Sequence, residues 1–153
     1  MSDLKELLAP ISRFVSTLDL ADATAAERAL ETAFPAQGED IALIATAART
    51  ALAAGTICNR GEGSMKFSRI AKPENDPGRC SIDAVSMDSV AGPFHTHVKG
   101  EVCLCFPDDN SVTFEGRNAT WMVLPVGSRH APTTAGGHML ILYWWPEGAV
   151  AWG

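Results

Sequence analysis

Apolar residues recur along the first third of the chain at intervals of three and four. Between Asp3 and about Leu18, the residues Leu4, Leu7, Leu8, Ile11, Phe14, Val15 and Leu18 fall on one stripe of a helix. Ser2 is a suitable N-cap for it, while Pro10 is expected to perturb or split it. Thr24-Ala25-Ala26-Glu27 reads as a capping box that opens a short helix ending before Pro35. A third stripe, Ile41, Ile44, Ala45, Ala48 and Leu52, predicts a helix from about Glu39 to Ala54, with Gly55 suited to its C-cap.

After Gly55 the period drops to two. Met65 to Ile70 and Ser81 to Met87 alternate as half-buried strands do. Short apolar runs follow at Val102 to Phe106, Trp121 to Leu124 and Met139 to Trp145. They are separated by turn-rich clusters at Pro73 to Gly78, Pro107 to Asn110, Glu115 to Asn118 and Ala135 to Gly137. Many short strands at close spacing predict a sandwich or barrel. The expected organisation is one domain over 1–153, with a helical N-terminal segment over 1–57 and a barrel over 58–153. The helical segment is too small for a separate domain and is expected to pack on the barrel or at a dimer interface.

Composition narrows the function classes. A chain of 153 residues with 46% hydrophobic residues can bury a core without disulfide or metal staples. The net charge of -6 and the absence of any basic block argue against a nucleic-acid or anionic-membrane partner. No apolar run approaches the roughly 20 residues of a membrane span. Met1 to Glu6 lacks the basic start and apolar core of a signal peptide, so a soluble, cytoplasmic protein is expected. Cys58, Cys80, Cys103 and Cys105 do not have zinc-finger spacing and read as packed, reduced thiols.

The chemistry concentrates in His95-Thr96-His97-Val98-Lys99-Gly100-Glu101 and in Pro125-Val126-Gly127-Ser128-Arg129-His130-Ala131-Pro132. Residues two apart on a strand share a face, so His95 and His97 project together from Cα atoms about 6.5–7 Å apart. Lys99-Gly100 can turn the chain, and Glu101 then opens the next strand opposite the histidines. The Pro-x-Gly turn sets where His130 begins another strand. Three imidazoles and one carboxylate suit a divalent first-row metal (Fe, Mn, Ni or Zn) and leave about two positions of an octahedron open. Such an open set points to catalysis, since structural zinc sites are usually closed. The same residues can also work as acids and bases without a metal. A lone His-x-His on a strand would mean little; the complete pattern inside an all-β stretch is much more specific.

These motifs resemble the two motifs of the cupin superfamily, the first at His95, His97 and Glu101, the second at Pro125, Gly127 and His130. The resemblance runs from about Cys58 to Trp152 and implies a mainly β, cupin-type jelly-roll barrel. Gly92, only three residues before His95, departs from the usual glycine spacing, which leaves the entry strand open. Val90 to His97, Gly100-Glu101, Pro125-x-Gly-Ser128-x-His130 and the ending Leu142-Tyr143-x-x-Pro146-Glu147-Gly148-Ala149 more narrowly resemble the 4-hydroxylaminobenzoate lyase family of small cupins. That resemblance implies conversion of 4-hydroxylaminobenzoate, or a related aromatic hydroxylamine, to 3,4-dihydroxybenzoate and ammonia. The reaction needs neither nicotinamide nor flavin, and no Gly-x-Gly-x-x-Gly fingerprint is present.

Expected site roles follow. His95, His97, Glu101 and His130 are the candidate metal ligands, with Glu101 and His130 as catalytic acid–base groups. Arg69 and Arg60 are candidates for binding the carboxylate of a small aromatic substrate, because a guanidinium meets a carboxylate bidentately. Tyr143 is a candidate hydrogen-bond donor to substrate. Arg129 should point away from His130 by strand parity, Lys99 sits in a turn, and His138 reads as a surface or rim residue. Cys103 and Cys105 share the parity of Glu101 and face the barrel interior. The tryptophans read as core or interface, and a homodimer is expected, as cupins often form. The competing readings are another metal-dependent cupin enzyme, either a dioxygenase or an isomerase, and a non-catalytic small-molecule-binding cupin.

Overall fold

The structure is a computed structural model and describes residues 3–153. Its three helices are α1 (Leu4–Val15), α2 (Ala23–Ala33) and α3 (Glu39–Ala54). Ser2, the expected cap of α1, lies outside the described residues. Asp3 is the N-cap, and its carboxylate accepts the Lys5 N–H at 3.2 Å. Helix α1 runs through Pro10 unsplit and ends at Val15 rather than Leu18. There the Ser16 and Thr17 hydroxyls donate back to the carbonyls of Arg13 and Phe14 at 2.6 and 2.7 Å. The expected capping box does not form. Asp22 caps α2 through the Ala25 N–H at 3.2 Å. Glu27 reaches outward instead, taking the Arg117 guanidinium at 2.8 and 3.0 Å and the Val123 N–H at 3.0 Å. Helix α3 has the expected bounds, and Gly55 closes it with φ 74, a left-handed conformation open to glycine.

The strands are β1 (Arg60–Glu62), β2 (Met65–Ala71), β3 (Cys80–Asp88), β4 (His95–Thr96), β5 (Glu101–Pro107), β6 (Thr113–Phe114), β7 (Trp121–Leu124), β8 (Arg129–His130), β9 (Thr134–Ala135), β10 (His138–Pro146) and β11 (Ala151–Trp152). All five strands expected from alternation or from short apolar runs are present. The additional ones are two or three residues long, too short to carry a period. A six-stranded antiparallel sheet has the order β1-β2-β3-β10-β5-β7. Two small sheets, β11-β4-β8 and β6-β9, complete the β structure.

Strand parity sorts the side chains of the large sheet into two cores. Ile82, Ala84, Val102, Leu104, Trp121, Val123, Leu140, Leu142 and Trp144 pack with Leu8, Ile11, Leu30, Ile44 and Ala48 of the helices. Their odd or even neighbours, including Val85, Met87, Cys103, Cys105, Met122 and Ile141, pack on the other face with Val112 and Phe114 near the small sheets. The helices are also tied on by polar contacts. Trp144 Nε1–H donates to Ser12 Oγ at 3.0 Å, and Trp121 Nε1–H donates to the Phe34 carbonyl at 2.9 Å. His138 lies on this helix-facing side, between Ser86 Oγ at 2.7 Å and Asp108 Oδ2 at 3.0 Å. Asp108 in turn pairs with Arg49 of α3 at 2.9 Å. The architecture is a mainly β jelly-roll barrel with a helical N-terminal segment on its outer face. No helix among the described residues is long and apolar enough to cross a membrane.

Candidate active site

The second core ends in a polar cluster built by both kinds of sheet. In the small sheet, β4 pairs with β8 so that His95 lies opposite His130, and with β11 so that His95 lies opposite Trp152. The Pro-x-Gly turn fixes this register. Gly127, at φ 81, donates its N–H to the His97 carbonyl at 2.7 Å, and the His97 N–H donates to the Ser128 carbonyl at 2.8 Å. Glu101 comes from β5 of the large sheet after a turn at Gly100. That residue has φ 90, and a Cβ on it would lie 2.7 Å from Leu20 Cβ, so conformation and space both call for glycine.

His95, His97, Glu101 and His130 each offer a ligand atom, and these atoms lie within 4.8 Å of one another. His97 Nε2 stands 3.4 Å from Glu101 Oε2, and His95 Nε2 stands 3.9 Å from Oε1. The carboxylate is held on both sides, by Trp145 Nε1–H at 2.5 Å and by the Cys103 thiol at 3.3 Å. Hydrogen-bond partners assign two tautomers. His95 Nδ1 faces the Pro93 carbonyl at 3.2 Å, which only accepts, so Nδ1 carries a proton. His97 Nδ1 faces Ser128 Oγ at 2.8 Å, and that hydroxyl donates to the Pro125 carbonyl at 2.6 Å, so Nδ1 again carries the proton.

It follows that, with both rings neutral, two Nε2 lone pairs face each other at 3.0 Å. That contact is repulsive unless a proton or a cation lies between them. Both ring nitrogens of His130 are buried without a hydrogen-bond partner, although Nδ1 approaches Glu115 Oε1 to 3.2 Å at poor alignment. Donors around one ion, at bonds of about 2.1 Å, stand about 3–4.2 Å apart, so the donors here, within 4.8 Å, would close in slightly on an ion. The donor types, the facing lone pairs and the orphaned imidazole therefore fit a divalent transition metal.

The charges are uneven. Burial presses the His97 pKa down to about 4, with His130 and His95 adding to the effect against the pull of Glu101. Burial also lowers that of His130. Burial works against a charged His95 too, but the Glu101 carboxylate outweighs it and raises the pKa. Glu101 would be raised by burial, yet His95, His97, Trp145 and Cys103 together hold it below the ordinary range. The pattern is an ionised carboxylate whose favoured counter-charge is His95, with His97 neutral. Burial pushes Cys105 to about 12 and Cys103 well above its ordinary value, so both remain thiols at neutral pH.

A cavity of about 680 Å³ opens beside this cluster. His95 and Glu101 line it, whereas His97 and His130 do not and sit behind them. Arg69, Arg60 and Tyr143 all line the same cavity. Arg69 is already bonded to Asp83, Nε to Oδ1 at 2.8 Å and Nη2 to Oδ2 at 3.4 Å. Arg60 is exposed and has no carboxylate partner among the described residues. Burial strongly raises the Tyr143 pKa, helped by Asp83 and Glu101, so its phenol stays protonated. Arg129 points elsewhere, donating to the Gly153 carbonyl at 3.0 Å and stacking 4.2 Å over Phe94. Lys99 pairs with Glu147.

Several contributors were not singled out from sequence. Trp145 has the sequence context of a core or interface residue, and Ser128 lies in the Pro-x-Gly motif with no distinct signal of its own. Glu115 falls in a turn cluster, and only its tertiary position brings it to His130. Asp83 carries a weak signal, an acid in the middle of a half-apolar strand; its cross-strand match with Arg69 depends on register.

A family model described as PnbB, 4-hydroxylaminobenzoate lyase, matches residues 9–152. The chain is 30% identical over 92 residues to a curated 4-hydroxylaminobenzoate lyase of Nocardioides sp. (strain LMS-CY). That match covers 56% of this chain and 54% of the relative, so the chain spans about half the length of the curated relative it matches. Among solved structures, an RmlC-like cupin protein of Ralstonia eutropha JMP134 has a TM-score of 0.42 at 16% identity, over 60% of each chain. A salicylate 1,2-dioxygenase of Pseudaminobacter salicylatoxidans has a TM-score of 0.42 at 10% identity, over 70% of this chain and 35% of that one.

Proposed function

The chain belongs to the 4-hydroxylaminobenzoate lyase family, and from that premise we propose that it converts 4-hydroxylaminobenzoate, or a close aromatic hydroxylamine, to 3,4-dihydroxybenzoate and ammonia. The observation that carries the reading is one cavity whose lining joins His95 and Glu101 of the donor cluster to the cations Arg69 and Arg60. The reaction consumes one water in net and leaves the redox state unchanged. Hydroxide leaves the nitrogen, oxygen adds to the adjacent ring carbon, and a further water hydrolyses the resulting imine to release ammonia.

In this reading His95, His97, Glu101 and His130 hold a divalent ion. When bound, it supplies Lewis acidity toward the N–O bond and lowers the pKa of water. Arg69 and Arg60 bind the substrate carboxylate, which directs the hydroxylamino group toward Glu101 and His95. Tyr143, kept protonated, donates a hydrogen bond to the substrate. Glu101, kept ionised, accepts the proton of the attacking water. With no ion bound, a histidine returns a proton to the departing hydroxide, and His95 is better placed for this than His130, because His95 lines the cavity and His130 does not.

The test is anaerobic incubation of the purified protein with 4-hydroxylaminobenzoate, with metal analysis and detection of ammonia and 3,4-dihydroxybenzoate. Ammonia release without oxygen is expected. Turnover that requires oxygen would favour a dioxygenase, and tight binding without turnover a non-catalytic cupin. Where Glu101 serves as the proton handler rather than as a tight ligand, Glu101→Gln is expected to lower kcat by about a hundredfold or more while metal content persists. Full activity in that variant would remove Glu101 from the proton-handling role.

A further inference from the structure

Asp83 is an acid that the proposed chemistry does not use, yet it lies in the wall of the same cavity. It sits in the middle of β3, flanked by β2 and β10, with Arg69 directly across on one side and Tyr143 on the other. The Asp83–Arg69 pair is asymmetric. The carboxylate side chain is 9% exposed and the guanidinium side chain 47%. The acid is thus the fixed member, and the arginine is the member that reaches into open space. The register of β2 slips between Arg69 and Ala71, an irregularity of the kind that re-aims a side chain beside a site.

A planar guanidinium has two forks. Asp83 takes the side fork, at Nε and Nη2. The end fork, Nη1 with the second proton of Nη2, has no protein acceptor among the described residues. We infer that Asp83 is a positioning residue, which grips Arg69 side-on so that the end fork meets a planar carboxylate in the cavity. This rests on the reading of Arg69 as a partner of the substrate carboxylate and extends it. An unheld arginine would spread its charge over many rotamers. A held one presents two parallel donors in the geometry of a carboxylate and discriminates against a neutral amide of the same shape.

The two views of Asp83 differ in sign. If it merely neutralises Arg69, its removal strengthens anion binding; if it positions Arg69, its removal weakens it. Calorimetric titration with 4-aminobenzoate and 4-aminobenzamide, neither of which has an N–OH group to lose, separates them. The wild-type protein should prefer the carboxylate. Asp83→Asn keeps the side-chain shape and should weaken 4-aminobenzoate by about tenfold while leaving the amide unchanged, a loss of one charge-assisted contact. Tighter or unchanged carboxylate binding overturns the inference, and so does an equal loss for both ligands, which marks a merely structural role. Should Asp83→Asn fail to fold, Arg69→Lys with Asp83 intact tests the same point, since lysine keeps the charge without the fork. Its carboxylate preference should fall by about tenfold, with Arg60 and the lysine charge supplying what remains, and an undiminished preference overturns the inference. A wild-type protein without carboxylate preference removes the underlying reading of Arg69, and this inference with it.

Discussion

At His97 the direction of the ring is set by a hydroxyl. Ser128 gives its only proton to the Pro125 carbonyl and therefore accepts from His97 Nδ1–H, which leaves Nε2 free to face Glu101 and His95. Partners of this kind fix the tautomer of a ligating histidine and raise its basicity. Ser128→Ala is accordingly expected to weaken metal affinity by about 10- to 100-fold, read by competition with a chelator, with little change in fold. Unchanged affinity would mean that the ring is held by packing alone. The four donors themselves were legible because their residue types and spacing are unusual together. Ser128, Glu115 and Asp83 were not, because each acts through a partner 31, 15 or 14 positions away whose proximity is created by strand register.

Among the elements, α2 shows how a local signal loses to a distant partner. Thr24 and Glu27 have capping-box spacing, but Asp22 is an equally good cap, and Glu27 then serves the sheet. Its carboxylate satisfies the Val123 N–H on β7, an edge strand, and pairs with Arg117. Burial alone would raise the Glu27 pKa, but Arg117 and the Val123 N–H bring it below the ordinary 4.5. A carboxyl whose folded pKa is depressed stabilises the fold fully above its unfolded value, and that contribution is lost as pH falls through the folded value. Glu27→Gln should therefore cost about 1–2 kcal/mol at neutral pH in urea unfolding. The gap between variant and wild type should narrow below about pH 4.5, as the wild-type carboxyl takes up its proton. A gap independent of pH would show that shape, not charge, matters at this position. The long strands were legible, β2 and β3 from alternation and β5, β7 and β10 from short apolar runs between turn clusters. Strands at His95 and after the Gly127 turn at His130 were legible from the motifs, but their lengths of two residues and their pairing with each other, as β4 and β8, were not.

For the molecule as a whole, one sheet serves two purposes through adjacent residues. Along β5, Val102 and Leu104 face the helices while Glu101 and Cys103 face the site. The order β3-β10-β5 places the last long strand between two earlier ones, a topology that periodicity cannot reveal. Because the four donors come from β4, the segment after it, β5 and β8, they converge only when both kinds of sheet are assembled. An ion held there binds the folded chain and not the unfolded one, so its binding energy adds to stability. At a free metal concentration about a hundred times the dissociation constant the gain is about 2.7 kcal/mol, or roughly 5–10 °C in Tm for a chain of this size. Chelator treatment should lower Tm by that order, and readdition of Fe, Mn, Ni or Zn should restore it in a concentration-dependent way. His97→Ala should abolish the response, since His97 is fully buried and supplies a lone pair that no other side chain in the cluster can replace. A wild-type Tm indifferent to chelator and to all four ions would leave a proton, rather than a metal, as the charge between His95 and His97. The acid–base route through Glu101 would then carry the chemistry without an ion.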